Sequence, residues 1–281
     1  MKKFLAVIII LICASYAVGD YFVNFALRRE NSNPPQAAAN IADKNLQAPA
    51  MPDYYYHEIW AMMSEDNLKL SATYFSPKNF SHRWAILVHG YSRDQRFAFD
   101  YAEKYLEHGY NVLTVDLRAA GMSEGDYITM GNFESRDIIL WSEKIIERDS
   151  QAEIIFHGVS MGAATVLMAA ANNPKNLIAV VEDCGYTNAY DMFTMQLEKI
   201  FNLPEYPIMP IADIVCKIKT GARISDAAPI KSIEKISVPI LFIHGDYDKL
   251  VPYDMMTELF DKATTPIKES WTVQNRFYHL F

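Results

Sequence analysis

The sequence predicts an α/β fold, with a mostly parallel, twisted sheet flanked by helices. Short apolar runs that end in Gly, Asp or Pro alternate with segments of helical spacing. One of these runs, Ile154–Phe156, leads into Gly-x-Ser-x-Gly and then at once into small, helix-forming residues. The chain has 281 residues, 51% of them hydrophobic, which is enough for one large domain with a short appendage.

The N-terminal residues 1–30 are predicted to be an uncleaved membrane anchor. Lys2 and Lys3 precede the apolar run 4–18, and a second run, 21–27, extends it. The first run alone has the length of a signal-peptide core, whereas the two together approach the roughly 20 residues that span a bilayer. The lysines favour a cytoplasmic N-terminus and therefore a catalytic domain that faces outward. A cleaved signal segment is the alternative.

A linker and a globular domain are expected to follow the anchor. Residues 31–52 are rich in Pro and Ala and lack apolar periodicity, so they are predicted to be a stalk. The domain is predicted over 53–281 from its strand and helix patterns. Its first part contains a hairpin over 54–63 and 70–75, strands over 84–88 and 111–117, and helices over 97–108 and 134–148. After the Ser160 strand and helix come strands over 177–181, 238–245 and 269–273, with a helix over 253–262 before the last strand.

A long insertion separates two of these strands, at about 187–237. Ordinary connections are much shorter. The segment is rich in Met and aromatic residues, with helical stretches and with prolines at 204, 207 and 210. It is predicted to be a helical lid, and its apolar residues either only pack the extra helices or also form an acyl pocket.

Ser160 is the candidate nucleophile. The pattern Gly158-Val-Ser-Met-Gly162 predicts a sharp turn from a buried strand into a helix, and glycines suit such a crowded turn. Ser160 would stand at the helix N-terminus, where free backbone N–H groups favour developing negative charge. With Gly90 before it, the N–H of Tyr91 joins that of Met161 as the predicted oxyanion hole.

The candidate acid partner is Asp248. A serine hydroxyl needs a base, and the base needs an orienting carboxylate. His244-Gly-Asp-Tyr-Asp248 follows a strand, with Asp246 expected to stabilise the turn and Asp248 placed further along the loop. Asp116 and Asp183, also at strand ends, are alternatives, although the chain order Ser…Asp…His favours a later acid. The histidines of the three His-Gly pairs (His89, His157, His244) are interpreted as hydrogen-bonding scaffold.

The amino-acid composition limits the classes of partner and cofactor that the protein is expected to bind. The net charge of −8, without Lys/Arg clusters, argues against nucleic acid. The three cysteines have no metal-type spacing, and no His/Glu cluster accompanies the two aspartates, so neither a metal nor another cofactor is predicted. The expected partners are a small ester or acyl substrate and the membrane.

Together these motifs resemble the α/β-hydrolase family, and most closely bacterial membrane-anchored or cell-surface serine hydrolases of uncharacterised substrate. The likeness rests on Gly-Val-Ser-Met-Gly, His89-Gly-Tyr, Asp116-Leu-Arg-x-x-Gly-x-Ser-x-Gly125 and His244-Gly-Asp-x-Asp-x-x-Val-Pro252, and covers about 54–273. It implies Ser160 as nucleophile, Asp248 as acid, and Tyr91 and Met161 as oxyanion donors. The fold hosts many activities and does not identify a substrate.

The C-terminus departs from the family pattern. The family has a histidine on a small-residue turn after the last strand, with a closing helix behind it. Here the strand is followed by bulky residues, and His279 is the only histidine after Asp248. It is either the catalytic base or an accidental neighbour. The sequence therefore predicts an esterase of fairly apolar substrates, with a serine peptidase, or an impaired member that only binds ligands, as alternatives.

Overall fold

A computed structural model of the protein describes residues 2–29 and 55–274. Within these ranges the helices are α1 (Lys2–Leu27), α2 (Phe99–Glu107), α3 (Asn132–Arg148), α4 (Met161–Ala170), α5 (Ala189–Phe201), α6 (Ile208–Thr220) and α7 (Tyr253–Lys262). The strands are β1 (His57–Met63), β2 (Lys69–Phe75), β3 (Arg83–Val88), β4 (Asn111–Val115), β5 (Glu153–Val159), β6 (Leu177–Asp183), β7 (Ile240–Gly245) and β8 (Lys268–Val273).

The strands form one sheet in the order β1-β2-β4-β3-β5-β6-β7-β8. The hairpin of β1 and β2 is antiparallel and β2 pairs antiparallel with β4, while the remaining pairs are parallel. The prediction of a mostly parallel sheet is confirmed. Because parallel strands share one carboxyl edge, the ends of β3, β5, β6 and β7 lie side by side.

The strand and helix residues explain why the sheet is buried. The strands β3 and β4 are mostly apolar, and every residue from Trp84 to Val88 and from Asn111 to Val115 is buried. Such runs are typical of parallel strands covered on both faces. Helix α4, made of small and apolar residues, is buried over its whole length behind β5. The core therefore holds the carboxyl edge of the sheet rigidly.

Two helices, α5 and α6, occupy the long insertion between β6 and β7. Asn188 caps α5 by accepting a hydrogen bond from the Asp191 N–H. Gly221 ends α6 with a φ of 87°. Both helices pack over the carboxyl edge of the sheet, so the insertion covers the side where ligands bind in folds of this kind.

Helix α1 has two halves with different surroundings. In the outer half, residues 3–18, every side chain from 3 to 14 is exposed, and the helix is long and apolar enough to cross a membrane. The inner half, residues 19–27, packs on the domain, with Val23 and Leu27 only 1% exposed. Lys219 of α6 forms an ion pair with Asp20 and donates a hydrogen bond to the Asn24 side chain at 2.8 Å.

Candidate active site

Ser160 occupies the turn between β5 and α4. Its φ of 55° and ψ of −117° are strained for a residue with a side chain. The strand anchors this conformation, because the Ser160 N–H donates to the Asp183 carbonyl at 2.7 Å. The turn places the half-buried serine at the N-terminus of α4, where the helix dipole favours negative charge. The predicted strand, turn and helix are all present.

The glycines on either side of Ser160 are required by close approach of the backbone. A Cβ atom on Gly158 would lie 2.1 Å from the Gly162 carbonyl oxygen, and one on Gly162 would lie 2.2 Å from the Val88 carbonyl oxygen. Neither contact leaves room for a side chain. The two glycines therefore let β5, α4 and the end of β3 pack tightly around the serine.

The predicted oxyanion loop lies next to the serine. A Cβ atom on Gly90 would be 3.3 Å from the Cβ of Ser160, so the backbone after β3 runs directly past the serine. Tyr91 follows, and Met161 is the first residue of α4. Both residues line the same cavity as Ser160. The Tyr91 hydroxyl donates to the Ala26 carbonyl at 2.7 Å, which ties this loop to the inner half of α1.

Asp248 lies in the loop after β7, with its side chain only 2% exposed. Its Oδ1 accepts hydrogen bonds from the N–H groups of Leu250 and Val251, at 2.7 and 3.0 Å. Asp248 thus stabilises this loop itself, in addition to its expected role as the acid, and the neighbouring Asp246 is exposed. Burial raises the pKa of Asp248 to about 6. The hydrogen bonds from the two N–H groups act in the opposite direction but are outweighed by burial.

The three scaffold histidines are engaged with their surroundings, as predicted. His89 lies between the Gly90 carbonyl, 2.8 Å from Nδ1, and the Leu117 N–H, 3.1 Å from Nε2. His244 Nε2 is 3.0 Å from the Val251 carbonyl and 3.9 Å from Asp248, beyond hydrogen-bond reach. Burial lowers the pKa of both. His157 Nδ1 is 3.3 Å from the Tyr105 hydroxyl.

The two alternative acids have structural partners. Asp116 accepts from the Gln95 N–H and side chain and from the Met122 N–H, at 2.9–3.0 Å, and so holds two loops together. Asp183 accepts from the Tyr101 hydroxyl at 3.1 Å. Asp248, at the end of β7, stays the predicted acid. His279 lies outside the described residues.

Cys184 stands between the candidate nucleophile, Ser160, and the candidate acid, Asp248. It follows β6, the strand between β5 and β7, and its N–H donates to the Ile243 carbonyl at 2.8 Å. Burial, and then the negative charges of Asp183, Asp248 and Glu182, raise the pKa of its thiol. The thiol is therefore neutral and acts as a small packing residue beside Ser160.

Ser160 lies in an apolar cavity of about 270 Å³ beneath the helices. The ends of β3 and β5 contribute the polar groups around the serine. The surrounding walls come from three helices, with apolar side chains of α1 (Phe22, Phe25), α5 (Met192, Phe193, Phe201) and α6 (Met209). Among the described residues that line the cavity none is acidic, and Arg93 is the one lysine or arginine.

The contribution of α1 to this cavity was not predicted from the sequence. Phe22 and Phe25 both contact the ring of Phe201, with centroids 5.4 and 5.2 Å apart. The signal that could have shown it is the interruption of the apolar run by Gly19, Asp20 and Asn24. Small and polar residues at this spacing favour packing against another helix over exposure to lipid.

Comparisons with known proteins agree with this geometry. Residues 81–199 match the model of a family described as serine aminopeptidase, S33. The chain is 26% identical over 279 residues to the uncharacterized protein YqkD of Bacillus subtilis, covering 95% of this chain and 88% of that protein.

Two solved structures share the architecture. An esterase from Pyrococcus furiosus superposes with a TM-score of 0.66 at 22% identity, over 82% of this chain and 87% of that one. Acetyl xylan esterase 1 from Thermoanaerobacterium sp. superposes with a TM-score of 0.61 at 16% identity, over 81% of this chain and 80% of that one. With the sheet order and the serine at the turn after β5, these similarities show that the chain has the α/β-hydrolase fold.

Proposed function

We propose that the protein is a membrane-anchored serine hydrolase that cleaves carboxylic esters of apolar acids outside the cytoplasm. The observation that carries the proposal is the strained Ser160 turn inside an apolar cavity. Strain of about 1–3 kcal/mol persists where the surrounding structure enforces it and is concentrated at functional sites. The outward orientation rests on Lys2 and Lys3 before the apolar helix.

In the first step, Ser160 Oγ attacks the ester carbonyl and loses its proton to the base. The carbonyl oxygen becomes an oxyanion that accepts hydrogen bonds from the N–H groups of Tyr91 and Met161, and each such donor is typically worth about 2.7–4 kcal/mol. The intermediate collapses as the alcohol leaves with the proton, and an acyl-serine remains. Water then attacks this ester by the same route and releases the acid.

Asp248 and His279 complete the proposed mechanism. An ionised Asp248 would hold the imidazole of His279 in the tautomer that accepts a proton from Ser160. The five residues between Val273 and His279 are long enough for this, because an extended residue spans about 3.3 Å. His279 as base is the part of the proposal that rests on sequence alone.

Cavity chemistry favours an ester over an N-terminal amine as substrate. An aminopeptidase must bind a cationic amino terminus, for which a carboxylate is the natural partner. The described residues that line the cavity include Arg93 and no acid, so a cation would be bound poorly there. Apolar walls instead provide about 25 cal/mol for each Å² of acyl chain removed from water.

The proposal is tested with a fluorophosphonate probe, which phosphonylates activated serines. Wild-type protein in membranes is expected to be labelled and to hydrolyse an umbelliferyl butyrate ester, whereas Ser160→Ala loses both. Ser92→Ala is the matched control, because Ser92 is an exposed hydroxyl that lines the same cavity. Wild-type turnover in a clean Ser160→Ala preparation would refute the assignment of the nucleophile.

A further inference from the structure

The inner half of α1 is part of the cavity wall as well as the continuation of the apolar outer half. Five residues of the inner half line the cavity: Phe22, Val23, Phe25, Ala26 and Leu27. A segment that enters the membrane at one end therefore reaches the substrate site at the other. Resting on the function proposed above, we propose that the substrate is a long-chain acyl ester taken directly from the membrane that holds α1.

The contacts of the inner half fix it to the domain. A Cβ atom on Gly19 would lie 2.6 Å from a methyl group of Val215, so α1 and α6 approach closely at this point. Beyond Leu27, the Arg29 side chain donates to the carbonyls of Gly121 and Ser123, at 2.6 and 2.5 Å. The inner half is held by these contacts at both of its ends. Its position at the cavity is a fixed part of the fold.

The length of the outer half brings the domain to the membrane surface. The apolar run 4–18 is about 22 Å long at about 1.5 Å per residue. The hydrocarbon core of a bilayer is about 30 Å thick, so the first turns of the inner half must also approach it. The body that packs on these turns then touches the bilayer interface, and the cavity lies next to it.

Apolar side chains on the neighbouring helix fit this placement. On α6, Ile214 is 49% exposed and Ile218 is 65% exposed, and they flank the residues that contact α1, Val215 and Lys219. The two isoleucines are four residues apart and so lie on one face of the helix. Such side chains are stabilised when they enter the interface beside a membrane helix.

The lining of the cavity sets the class of substrate. Its walls carry aromatic and Met side chains on α1, α5 and α6, and they suit an alkyl chain. An ester with such a chain partitions into the bilayer, where its local concentration is far above that in water. An enzyme with its cavity at the interface meets this substrate without first extracting it into water.

Two measurements on the full-length protein in phosphatidylcholine vesicles test the inference. In the first, umbelliferyl oleate is placed either in the vesicles that hold the protein or in separate, protein-free vesicles. Hydrolysis is expected to be at least tenfold faster when ester and protein share a membrane. Equal rates would overturn the inference.

In the second, Ala26→Trp fills the cavity from α1, and Ala17→Trp places the same side chain on the exposed outer half. The ratio of oleate to butyrate hydrolysis is expected to fall at least tenfold in Ala26→Trp and to stay within twofold of wild type in Ala17→Trp. Ala26→Leu, with a smaller side chain, gives a graded loss if the Trp variant does not fold.

The outcomes separate this inference from the proposed function. Fluorophosphonate labelling of Ser160 reports the active serine independently of chain length. A labelled protein that prefers butyrate to oleate, or whose ratio is unchanged in both Ala26 variants, would refute the membrane substrate and leave the serine hydrolase standing. Absence of labelling in the wild type would refute the proposed function itself.

Discussion

The floor and the roof of the cavity are built on different principles. The floor consists of the strand ends that carry Gly90, Ser160 and Cys184, beside the strand β7, whose following loop carries Asp248. It is buried, tightly packed and strained, with a serine at φ 55° and glycines that admit no side chain. The roof consists of the inner half of α1 with α5 and α6, and it presents apolar side chains to the cavity.

The difference indicates a division of labour. Bond cleavage needs groups fixed to within a fraction of an ångström, and rigid strands provide such positions. Selection of an acyl chain needs only apolar surface of suitable shape, which packed helices provide and can vary. Changes in the floor should therefore act on the chemical step, and changes in the roof on substrate binding and on stability.

The two regions are physically connected at Tyr91. Its N–H belongs to the proposed oxyanion hole, while its hydroxyl donates to the carbonyl of Ala26 in the roof. A hydrogen bond of this kind contributes about 0.5–1.5 kcal/mol. The inner half of α1 is thus placed to position the oxyanion loop as well as to line the cavity.

The largest effect is expected in the floor, from Asp248→Asn. An amide would no longer orient the imidazole of the base, and the loss at such positions is about 10⁴-fold in kcat. Asp246→Asn, two residues away and exposed, is the matched control and is expected to stay near wild type. Steady-state kinetics on a butyrate ester measures both. Equal losses, or a larger loss for Asp246→Asn, would mean that another carboxylate is the acid.

The roof is tested by two truncations. Deletion of 2–18 removes only the outer half, so the purified protein is expected to hydrolyse a soluble butyrate ester within about twofold of the wild-type rate. Deletion of 2–29 also removes Val23 and Leu27, which are buried side chains worth about 1.5–3 kcal/mol each. Its Tm is expected to fall by roughly 5–10 °C.

The two truncations also show whether the inner half of α1 forms part of the cavity wall or only attaches the anchor to the domain. If the inner half served only to attach the anchor, both deletions would have the same Tm and the same turnover. That result would contradict the description of α1 as part of the cavity.

A smaller, graded effect is expected from pH. Burial raises the pKa of Asp248 from its ordinary 3.8 to about 6. Below about pH 6 the carboxyl is protonated and cannot orient a base, so kcat/KM should fall about tenfold for each pH unit on this acid limb. The Ala26→Trp variant should show the same decrease of kcat/KM at low pH, because its substitution lies in the roof and not beside Asp248. A profile that is flat from pH 5 to pH 7 would contradict the assignment.

The raised pKa of Asp248 also makes the folding stability depend on pH. This dependence runs in the opposite direction to that of the activity. Between 3.8 and about 6 the folded protein holds the Asp248 proton that the unfolded chain has released. The contribution of Asp248 to stability therefore decreases as pH rises through this window. Asp248→Asn should remove that decrease, which denaturant titrations at pH 4 and pH 6 would detect.

Sequence reasoning succeeded for the floor because its features are local. Gly158-Val-Ser-Met-Gly162 encodes the turn in consecutive residues, and the apolar runs before Gly90 and Gly245 predict neighbouring parallel strands. A mostly parallel sheet then follows from alternating strands and helices. In the loop after β7, the hydrogen bonds to Asp248 depend on where Leu250 and Val251 fold back, which residue type does not specify.

The roof was harder to predict because it depends on contacts between distant segments. The pairing of Asp20 with Lys219 joins positions far apart in the chain, and hydropathy alone groups all of 1–30 as an anchor. An apolar residue of α1 is equally suited to lipid and to a protein interior. The boundary between the outer and inner halves is set by the packing of α1 against α6.

The most direct test of the central claim is to trap the acyl-enzyme. Wild-type protein is mixed with an excess of umbelliferyl butyrate, quenched in acid within the first turnover, digested and analysed by mass spectrometry. A butyryl group on the peptide that contains Ser160, and its absence in Ser160→Ala, is the predicted result. Turnover of the ester with the butyryl group on another residue would contradict the account of this site.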